Sequence, residues 1–312
     1  MVTFYMKPNM EYLPGYEELV VKRLPQMEPG QFQQWAALLK KRTGMRLPDN
    51  RISFLVTNLG MRMRELGINN FQTYFDYVKN GREGAIEWDK LVHHLTVHET
   101  RFLRQESVLA LICEKCLPSR HDECAAIPAT INVWSVGCST GEEPYSIAMA
   151  IDDHMRQLNR QYYLGVTASD ISRSALARGR KGIYTRQQIK AIEPEWINNY
   201  FSVTEDDKFQ VNEELRKRVC FNHLNILDIG AAPIGKMDII ICQNLLIYFD
   251  KEQRVDIANT LADHLQPGGL LILGVGELLN WEHPDVTRFS YANTLAFKRQ
   301  QNILDGRDGL DA

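Results

Sequence analysis

The chain shows two different patterns of hydrophobic and polar positions. From Gly30 to about Val97, apolar residues recur at the three-to-four-residue spacing of helices, and β-branched runs are scarce. After about residue 130, short apolar runs alternate with helical stretches, which is typical of an α/β sheet with mostly parallel strands. The pattern predicts a small all-α domain at residues 25–97, a doubly wound α/β domain at 98–300 and a tail at 301–312.

Four helices are expected in the first domain, and the first three end at glycines. A glycine just past the last turn is a common helix stop because it adopts the left-handed conformation without strain. The helical segments are FQQWAALLKKRTG, NRISFLVTNLGMRMRELG, NFQTYFDYVKNG and AIEWDKLVHHLTV. Asn70 is the expected N-cap of the third.

The second domain contains five predicted strands and a closing hairpin. The strands are INVWSV, YYLGVTASD, RVCFNHL, MDIIICQN and GLLILGVG. The stretch VTRFSYANTLAFKR predicts two antiparallel strands around Ala292 and Asn293, whereas residues 183–218 fit no simple strand–helix unit. In such sheets ligands bind at the carboxyl ends of the strands, so the site is expected there.

A glycine turn follows the first predicted strand, in the stretch VWSVGCSTGEEPYSIAMAI. Gly137 and Gly141 enclose three small residues, so the spacing differs from the G-x-G-x-x-G of nicotinamide dinucleotide sites. Glu142 and Glu143 would repel a pyrophosphate at this turn. A ligand with cationic groups and no phosphate is favoured, and S-adenosylmethionine carries an ammonium and a sulfonium group. The turn therefore predicts an S-adenosylmethionine site.

A second acid supports this interpretation. Asp170 ends the second predicted strand, where α/β nucleotide sites place a carboxylate that accepts hydrogen bonds from ribose hydroxyls. The alternative is that Glu142 and Asp170 only stabilise helix N-termini. The two acids together, with the glycines between strand and helix, favour the ligand site.

Six motifs in order give the chain a resemblance to the CheR family, the chemotaxis-receptor methyltransferases. The motifs are HETRFLR at 98–104, GCSTGEEPYSIAM at 137–149, ASDIS at 168–172, GIY at 182–184, CQNLLIYFD at 242–250 and LQPGGLLILGVGE at 265–277. The resemblance covers roughly residues 30–300. It implies a Rossmann-like class I methyltransferase domain with a small antiparallel β-subdomain within residues 182–224. The implied reaction is methyl transfer from S-adenosylmethionine to glutamate side chains of methyl-accepting chemoreceptors, which forms methyl esters.

The resemblance also assigns residues to the cofactor. Those expected to contact S-adenosylmethionine are His98, Thr100, Arg104, Gly137, Glu142, Asp170, Asn225, Ile226, Gln243 and Asn244. Glu142 would hold the ammonium group, Asp170 the ribose, and Tyr248 would point at the transferred methyl group as the catalytic residue.

Three positions depart from the family pattern. His98 replaces an asparagine, Leu103 the second of two phenylalanines, and Gln243 an arginine. Asparagine and histidine can both form hydrogen bonds, whereas Gln243 removes a charge near the site. The departures favour the pilus-linked branch of the family. His98 and Gln243 also motivate one alternative, a catalytically weakened scaffold that binds S-adenosylmethionine. A second alternative is a small-molecule methyltransferase on the same fold, against which the basic helical domain argues.

The expected chemistry requires no general base. Glutamate has a reference pKa of about 4.3, so its carboxylate is ionised at pH 7. Alignment of the reacting groups and exclusion of water then suffice. Consistent with this, none of the eight histidines pairs with an obvious serine or cysteine nucleophile in the sequence.

Charge is unevenly distributed along the chain. The net charge is -3, yet residues 31–64 contain seven basic residues and one acid, Asp49. These basic residues could form an ordinary solvated helix face, or they could form a surface that docks an acidic partner, which is the interpretation we favour. Arg51, Arg62 and Arg64 are therefore candidate contacts to the receptor's helices. Nucleic acid is not expected, because aromatic residues are not interleaved with these charges.

Cysteine usage and hydropathy predict a cytoplasmic protein. The six cysteines show no disulfide-framework spacing, and the N-terminus shows no signal-peptide pattern. The apolar runs are far shorter than the ~20 residues of a membrane-spanning helix, so no membrane insertion is expected. We expect a monomer.

One group of three cysteines and a histidine has the sequence spacing of a metal site. Cys113, Cys116, His121 and Cys124 have the spacing C-x2-C-x4-H-x2-C, which superficially resembles zinc ligands. The segment LALICEKCL also reads as an amphipathic helix in which cysteines pack as small apolar residues. The expectation is therefore that no metal binds, with zinc as the alternative.

Overall fold

The four predicted helices of the first domain are confirmed. The computed structural model describes residues 26–96, 99–117 and 129–301. The helices of residues 26–96 are α1 (Pro29–Thr43), α2 (Ile52–Glu65), α3 (Phe71–Lys79) and α4 (Gly81–Leu95), with a 3-10 turn at Asp49–Arg51 before α2. Gly44 ends α1 at φ +76°. The Asn70 side chain caps α3 by accepting the backbone N–H groups of Gln72 and Thr73, as predicted.

The second domain contains a seven-stranded sheet. Its strands are β1 (Ala129–Val136), β2 (Tyr162–Asp170), β6 (Val219–His223), β7 (Met237–Cys242), β8 (Leu265–Leu273), β9 (Val286–Phe289) and β10 (Leu295–Arg299). The spatial order is β6-β2-β1-β7-β8-β10-β9. The first five are parallel, and β10 is antiparallel to both neighbours. The predicted mostly parallel sheet with a closing hairpin is confirmed.

Helices connect these strands, and a small second sheet interrupts them. The helices are α5 (Glu106–Leu111, continued by a π-helical turn at Ile112–Cys116), α6 (Glu142–Gln157), α7 (Arg173–Lys181), α8 (Pro194–Tyr200), α9 (Glu213–Arg216) and α10 (Lys251–Asp263). Strands β3 (Ile183–Tyr184), β4 (Phe201–Val203) and β5 (Phe209–Val211) form an antiparallel sheet in the order β3-β5-β4. This sheet is the expected β-subdomain, and it occupies the stretch that fitted no strand–helix unit.

The helical domain and one face of the large sheet share a hydrophobic core. Trp35 and Leu59 belong to the same buried cluster as Trp134, Ile240 and Phe249. The contact is tightest behind α1, where a Cβ on Gly44 would lie 2.8 Å from a ring carbon of Phe249. The helical domain is therefore fixed against the segment that contains Tyr248.

Arg62 is a structural residue, which corrects its assignment to the docking surface. Its side chain is 5% exposed. Its Nε and Nη2 atoms each donate to a carboxylate oxygen of Glu87 at 2.8 Å, and Tyr74 donates to the same carboxylate at 2.7 Å. The neighbouring carboxylate strongly favours the charged arginine and raises its pKa. The reason for the error is that charge in the sequence does not reveal which side of α2 packs against α4.

Within the described part of the chain, no helix has the length and apolar character needed to cross a membrane.

Candidate functional site

The glycine turn is held against the end of β2. Gly137 has φ +76°, and its N–H donates to the Ser169 carbonyl oxygen at 2.8 Å. A Cβ at Gly137 would come within 3.0 Å of Leu245, so glycine permits both the conformation and the close approach. Gly141 has φ +98°, and a Cβ there would lie 2.9 Å from the Tyr184 hydroxyl of the β-subdomain.

Asp170 joins the turn to the second strand. Its carboxylate oxygens accept the backbone N–H groups of Ser139 and Ser172, each at 2.8 Å. Burial raises the pKa of Asp170, and these two hydrogen bonds oppose that shift. Each oxygen retains a lone pair, so the carboxylate can hold the turn and still accept a hydrogen bond from a ligand hydroxyl.

Two adjoining cavities open at the carboxyl ends of the central strands. The first, of about 160 Å³, and the second, of about 80 Å³, share the lining residues Gly137, Ser139, Asn244 and Tyr248. The predicted residues found only in the first cavity are Thr100, Arg104 and Gln243. Those found only in the second are Asp170, Asn225 and Ile226. The structure thus brings together nine of the predicted positions, while His98 lies outside the described residues.

Glu143, rather than Glu142, faces the first cavity. Glu142 lines neither cavity, is 2% exposed, and accepts hydrogen bonds from Thr140 at 2.6 Å and Gln188 at 3.3 Å. Glu143 lines the first cavity and accepts a hydrogen bond from Ser135 at 2.6 Å. The assignment of the ammonium group to Glu142 is therefore corrected. Successive residues of a helix point about 100° apart, so only one of two adjacent acids can face the cavity.

The composition of the two cavities suits S-adenosylmethionine. The first offers Arg104 for a carboxylate and Glu143 for an ammonium group. The second combines the polar Asp170 with the apolar Ile226 and the amide of Asn225, as expected for a ribose and an adjoining base.

Tyr248 lies where the two cavities meet. It ends the 3-10 turn Leu246–Tyr248, and its carbonyl oxygen accepts the Arg46 N–H of the helical domain at 2.7 Å. Burial raises the pKa of Tyr248, and the charge of Arg51 partly opposes this shift. The tyrosine is therefore a neutral hydroxyl near pH 7, placed between the cofactor cavities and two arginines.

Gln243, which stands where the family pattern has an arginine, forms hydrogen bonds to two neutral acceptors. Its Nε2 atom donates to Gln105 Oε1 at 2.6 Å and to the Leu273 carbonyl oxygen at 3.3 Å. Sequence reasoning missed Gln105, although it directly follows the first motif. The adjacent Asn244 has φ +58°, a left-handed conformation that asparagine tolerates better than most residues.

Cys113 is a partly buried thiol. Its sulfur donates to the Ala150 carbonyl oxygen at 3.5 Å, and burial raises its pKa to about 12. Zinc binds thiolates, so this environment disfavours the metal. His121 and Cys124 lie outside the described residues, and the expectation that no metal binds stays a prediction.

The ionisation of Glu143 predicts a pH-dependent cofactor affinity. Burial raises its pKa to about 7, above an unfolded value of about 4.3. The protonated carboxyl therefore contributes stability at low pH, and this contribution is lost as the pH rises through about 7. Ionisation meanwhile creates the partner for an ammonium group, so affinity for S-adenosylhomocysteine should rise between about pH 5.5 and 7.5 in calorimetric titrations. Glu143→Gln should flatten the profile and Glu142→Gln should keep it, whereas the opposite pattern would restore the first assignment.

Comparison with known proteins agrees with this arrangement. Residues 98–295 match the profile described as the CheR methyltransferase SAM-binding domain, and residues 30–96 match the CheR methyltransferase all-alpha domain. The chain is 31% identical over 271 residues to the chemotaxis protein methyltransferase of Salmonella typhimurium, covering 85% of this chain and 90% of that protein. It is 32% identical over 252 residues to chemotaxis protein methyltransferase 1 of Pseudomonas aeruginosa, covering 80% and 90%. For the Borreliella burgdorferi enzyme the identity is 31% over 245 residues, covering 76% and 83%. The chain therefore belongs to the CheR methyltransferase family.

Proposed function

We propose that this protein methylates glutamate side chains of methyl-accepting chemoreceptors, with S-adenosylmethionine as the methyl donor. One observation carries the proposal, which is the pair of cavities that meet at Tyr248, close to Arg51 of the helical domain. The cavities fit the cofactor, and the arginines suit a protein substrate rich in carboxylates. The protein-glutamate specificity rests on this juxtaposition together with the names of the relatives.

Binding and alignment are the tasks of the residues in the cavities. S-adenosylmethionine supplies a methyl group that its positive sulfur already activates. Arg104 and Glu143 would hold the amino-acid end, Asp170 the ribose, and Asn225 the base. Tyr248 would border the reacting groups and exclude water from them. The acceptor carboxylate is ionised at pH 7, so positioning supplies the catalysis without a proton acceptor.

Exposed arginines of the helical domain would guide the acidic substrate. Arg46, Arg51 and Arg64 are exposed, and we call them the basic edge. Arg51 lies close enough to Tyr248 for its charge to lower the pKa of that phenol. The basic edge replaces the original set of Arg51, Arg62 and Arg64, since Arg62 is buried.

Charge reversal in the basic edge should slow receptor methylation. The double variant Arg51→Glu, Arg64→Glu should reduce kcat/KM for the receptor about tenfold at low salt, because complementary charges accelerate encounter. Added salt should reduce wild-type activity toward the same level. Arg82→Glu, which reverses an exposed arginine early in α4, is the matched control and should behave as wild type. Equal rates for all three proteins at low salt would make the basic edge an ordinary solvated surface.

Transfer of tritiated methyl groups tests the function itself. Purified protein, S-adenosylmethionine and receptor should yield label that base releases as methanol, which identifies a methyl ester. Binding of S-adenosylhomocysteine and receptor without transfer would instead support the scaffold alternative, which the Gln243 substitution motivates. Label in small molecules alone would support the third alternative.

We further propose that the protein acts as a cytoplasmic monomer. Cys113, Cys138, Cys220 and Cys242 are free thiols, as expected in a reducing compartment. Sedimentation at micromolar concentrations tests the monomer, and a concentration-dependent mass would contradict it.

A further inference from the structure

Three large apolar side chains are exposed next to the candidate site. Leu279 and Val275 are the most exposed large hydrophobic residues of the described chain, at 72% and 67%, and Ile247 is 51% exposed. We call these three residues the apolar rim. Exposed apolar side chains that lie together commonly mark a surface that another molecule covers.

The apolar rim is held in place by an internal network. Arg254 of α10 donates to the carbonyl oxygens of Phe249 at 2.9 Å, Glu277 at 3.0 Å and Ile247 at 3.4 Å. Its guanidinium group therefore joins the segment before α10 to the loop after β8. The Glu277 carboxylate in turn accepts the Gly274 N–H at 3.1 Å and closes that loop on itself. Exposure of the rim is thus a property of an ordered surface.

One residue of the apolar rim borders the first cavity, and the other two line a separate groove. Ile247 lines that cavity and immediately precedes Tyr248 in the same 3-10 turn. Val275 and Leu279 line an open groove of about 910 Å³ that extends over Trp281 toward the β9–β10 hairpin. Arg51 of the basic edge lies near this turn, since its charge acts on the Tyr248 phenol, and the backbone N–H of Arg46 donates to the Tyr248 carbonyl oxygen. The entrance to the site is therefore bordered by both apolar and positively charged surface.

We propose that the apolar rim binds the acceptor helix of the chemoreceptor, against apolar side chains that flank the methylated glutamate. The inference rests on the proposed function and specifies its substrate, which is an amphipathic helix with acidic and apolar positions around the acceptor. A glutamate on a helix can enter the cavity only if the adjoining helical turn rests at the entrance, which brings the i±3 and i±4 neighbours onto the rim. Burial of those neighbours would both bind the helix and keep water from the reacting groups.

The double variant Val275→Ser, Leu279→Ser tests the rim. We expect the KM for the receptor to rise at least tenfold, since even partial burial of two such side chains is worth about one tenfold step in affinity. The kcat, the affinity for S-adenosylhomocysteine and the melting temperature should not change, because neither side chain is buried or lines the cofactor cavities. The defect should persist at high salt, unlike that of the basic-edge variant.

Leu158→Ser is the matched control. Leu158 is 46% exposed and follows the last residue of α6, whose first turn faces the site. The 16-residue helix separates it from the cavity by about 24 Å. This variant should retain the wild-type KM. A rim variant with the same KM as Leu158→Ser would overturn the proposal. A lower melting temperature of the rim variant would also overturn it, because the rim would then pack within this chain. The loss of a wild-type dimer would do the same, because the rim would then bind a second copy.

A binding measurement separates the rim from the proposed function. Calorimetry with a receptor fragment that contains the acceptor helix, added to protein saturated with S-adenosylhomocysteine, needs no methyl transfer. If the wild type binds the fragment and the rim variant does not, the rim is the helix-binding surface even if no ester forms. In that case only the proposed function would fail. Equal binding by both proteins would overturn the rim whether or not transfer occurs.

Discussion

Replacing Arg62 with alanine should lower the free energy of unfolding by about 3–5 kcal/mol, because it leaves the buried Glu87 carboxylate without its cationic partner. The two direct hydrogen bonds between these side chains join α2 to α4. Urea denaturation followed by circular dichroism measures the loss. The same helical domain packs against Phe249, which lines the second cavity. Near the denaturation midpoint, the loss of stability should therefore be accompanied by weaker cofactor binding.

Arg64→Ala is the matched control for this variant. Arg64 is two residues further along α2 and is exposed, so its removal should change stability by no more than about 0.5 kcal/mol. A triple variant with Arg62→Met, Glu87→Leu and Tyr74→Phe removes all three polar groups together. It should recover much of the lost stability, because apolar replacement of a whole buried ionic group is often nearly neutral. Equal stability of Arg62→Ala and Arg64→Ala would contradict a structural role for the buried pair.

Replacing Asp170 with alanine should weaken S-adenosylhomocysteine binding by about 1.5–3 kcal/mol, the range for a hydrogen bond to a charged group. The carboxylate is the expected ribose partner, and it also holds the glycine turn through the Ser139 N–H at 2.8 Å. Both contributions are lost in the variant. Calorimetry measures the affinity, and thermal melting shows whether the fold persists.

Two further variants sharpen the Asp170 result. Asp170→Asn keeps the size of the side chain but turns an amide NH2 toward one of the two backbone N–H donors, so it should also bind weakly. Asp256→Ala removes an exposed carboxylate of α10 and should bind as wild type. Normal affinity in Asp170→Ala would show that the ribose lies elsewhere.

Local sequence signals determined most of the secondary structure. The β2 strand coincides with the predicted YYLGVTASD, because the segment is rich in residues that favour strands and ends at a polar residue. Helix α1 ends before Gly44 because the left-handed conformation at that residue suits glycine. The β-subdomain could not be read from pattern alone, since its strands contain only two or three residues. It was expected from the family resemblance.

The cofactor site was partly determined by sequence for a topological reason. Parallel strands end at the same edge of a sheet, so residues that follow them, such as Gly137 and Asp170, must come together. The strand topology did not decide between Glu142 and Glu143 as the acid that faces the cavity. Both acids begin the same helix, and only the packing of α6 against the β-subdomain decides which of them Gln188 and Thr140 enclose.

Which side chains are exposed at the surface was decided by the tertiary structure. Arg62 and Arg64 have the same charge and nearly the same position in the sequence, yet one is buried against Glu87 and the other is exposed. Val275 belongs to the apolar stretch GLLILGVG that was predicted as a strand, yet it is 67% exposed. The sequence by itself determined which elements form and where their ends meet, because caps, strand patterns and turns depend on neighbouring residues. Which side chains become core, cofactor contact or docking surface was settled only by the tertiary structure, because that depends on which distant element packs against each face.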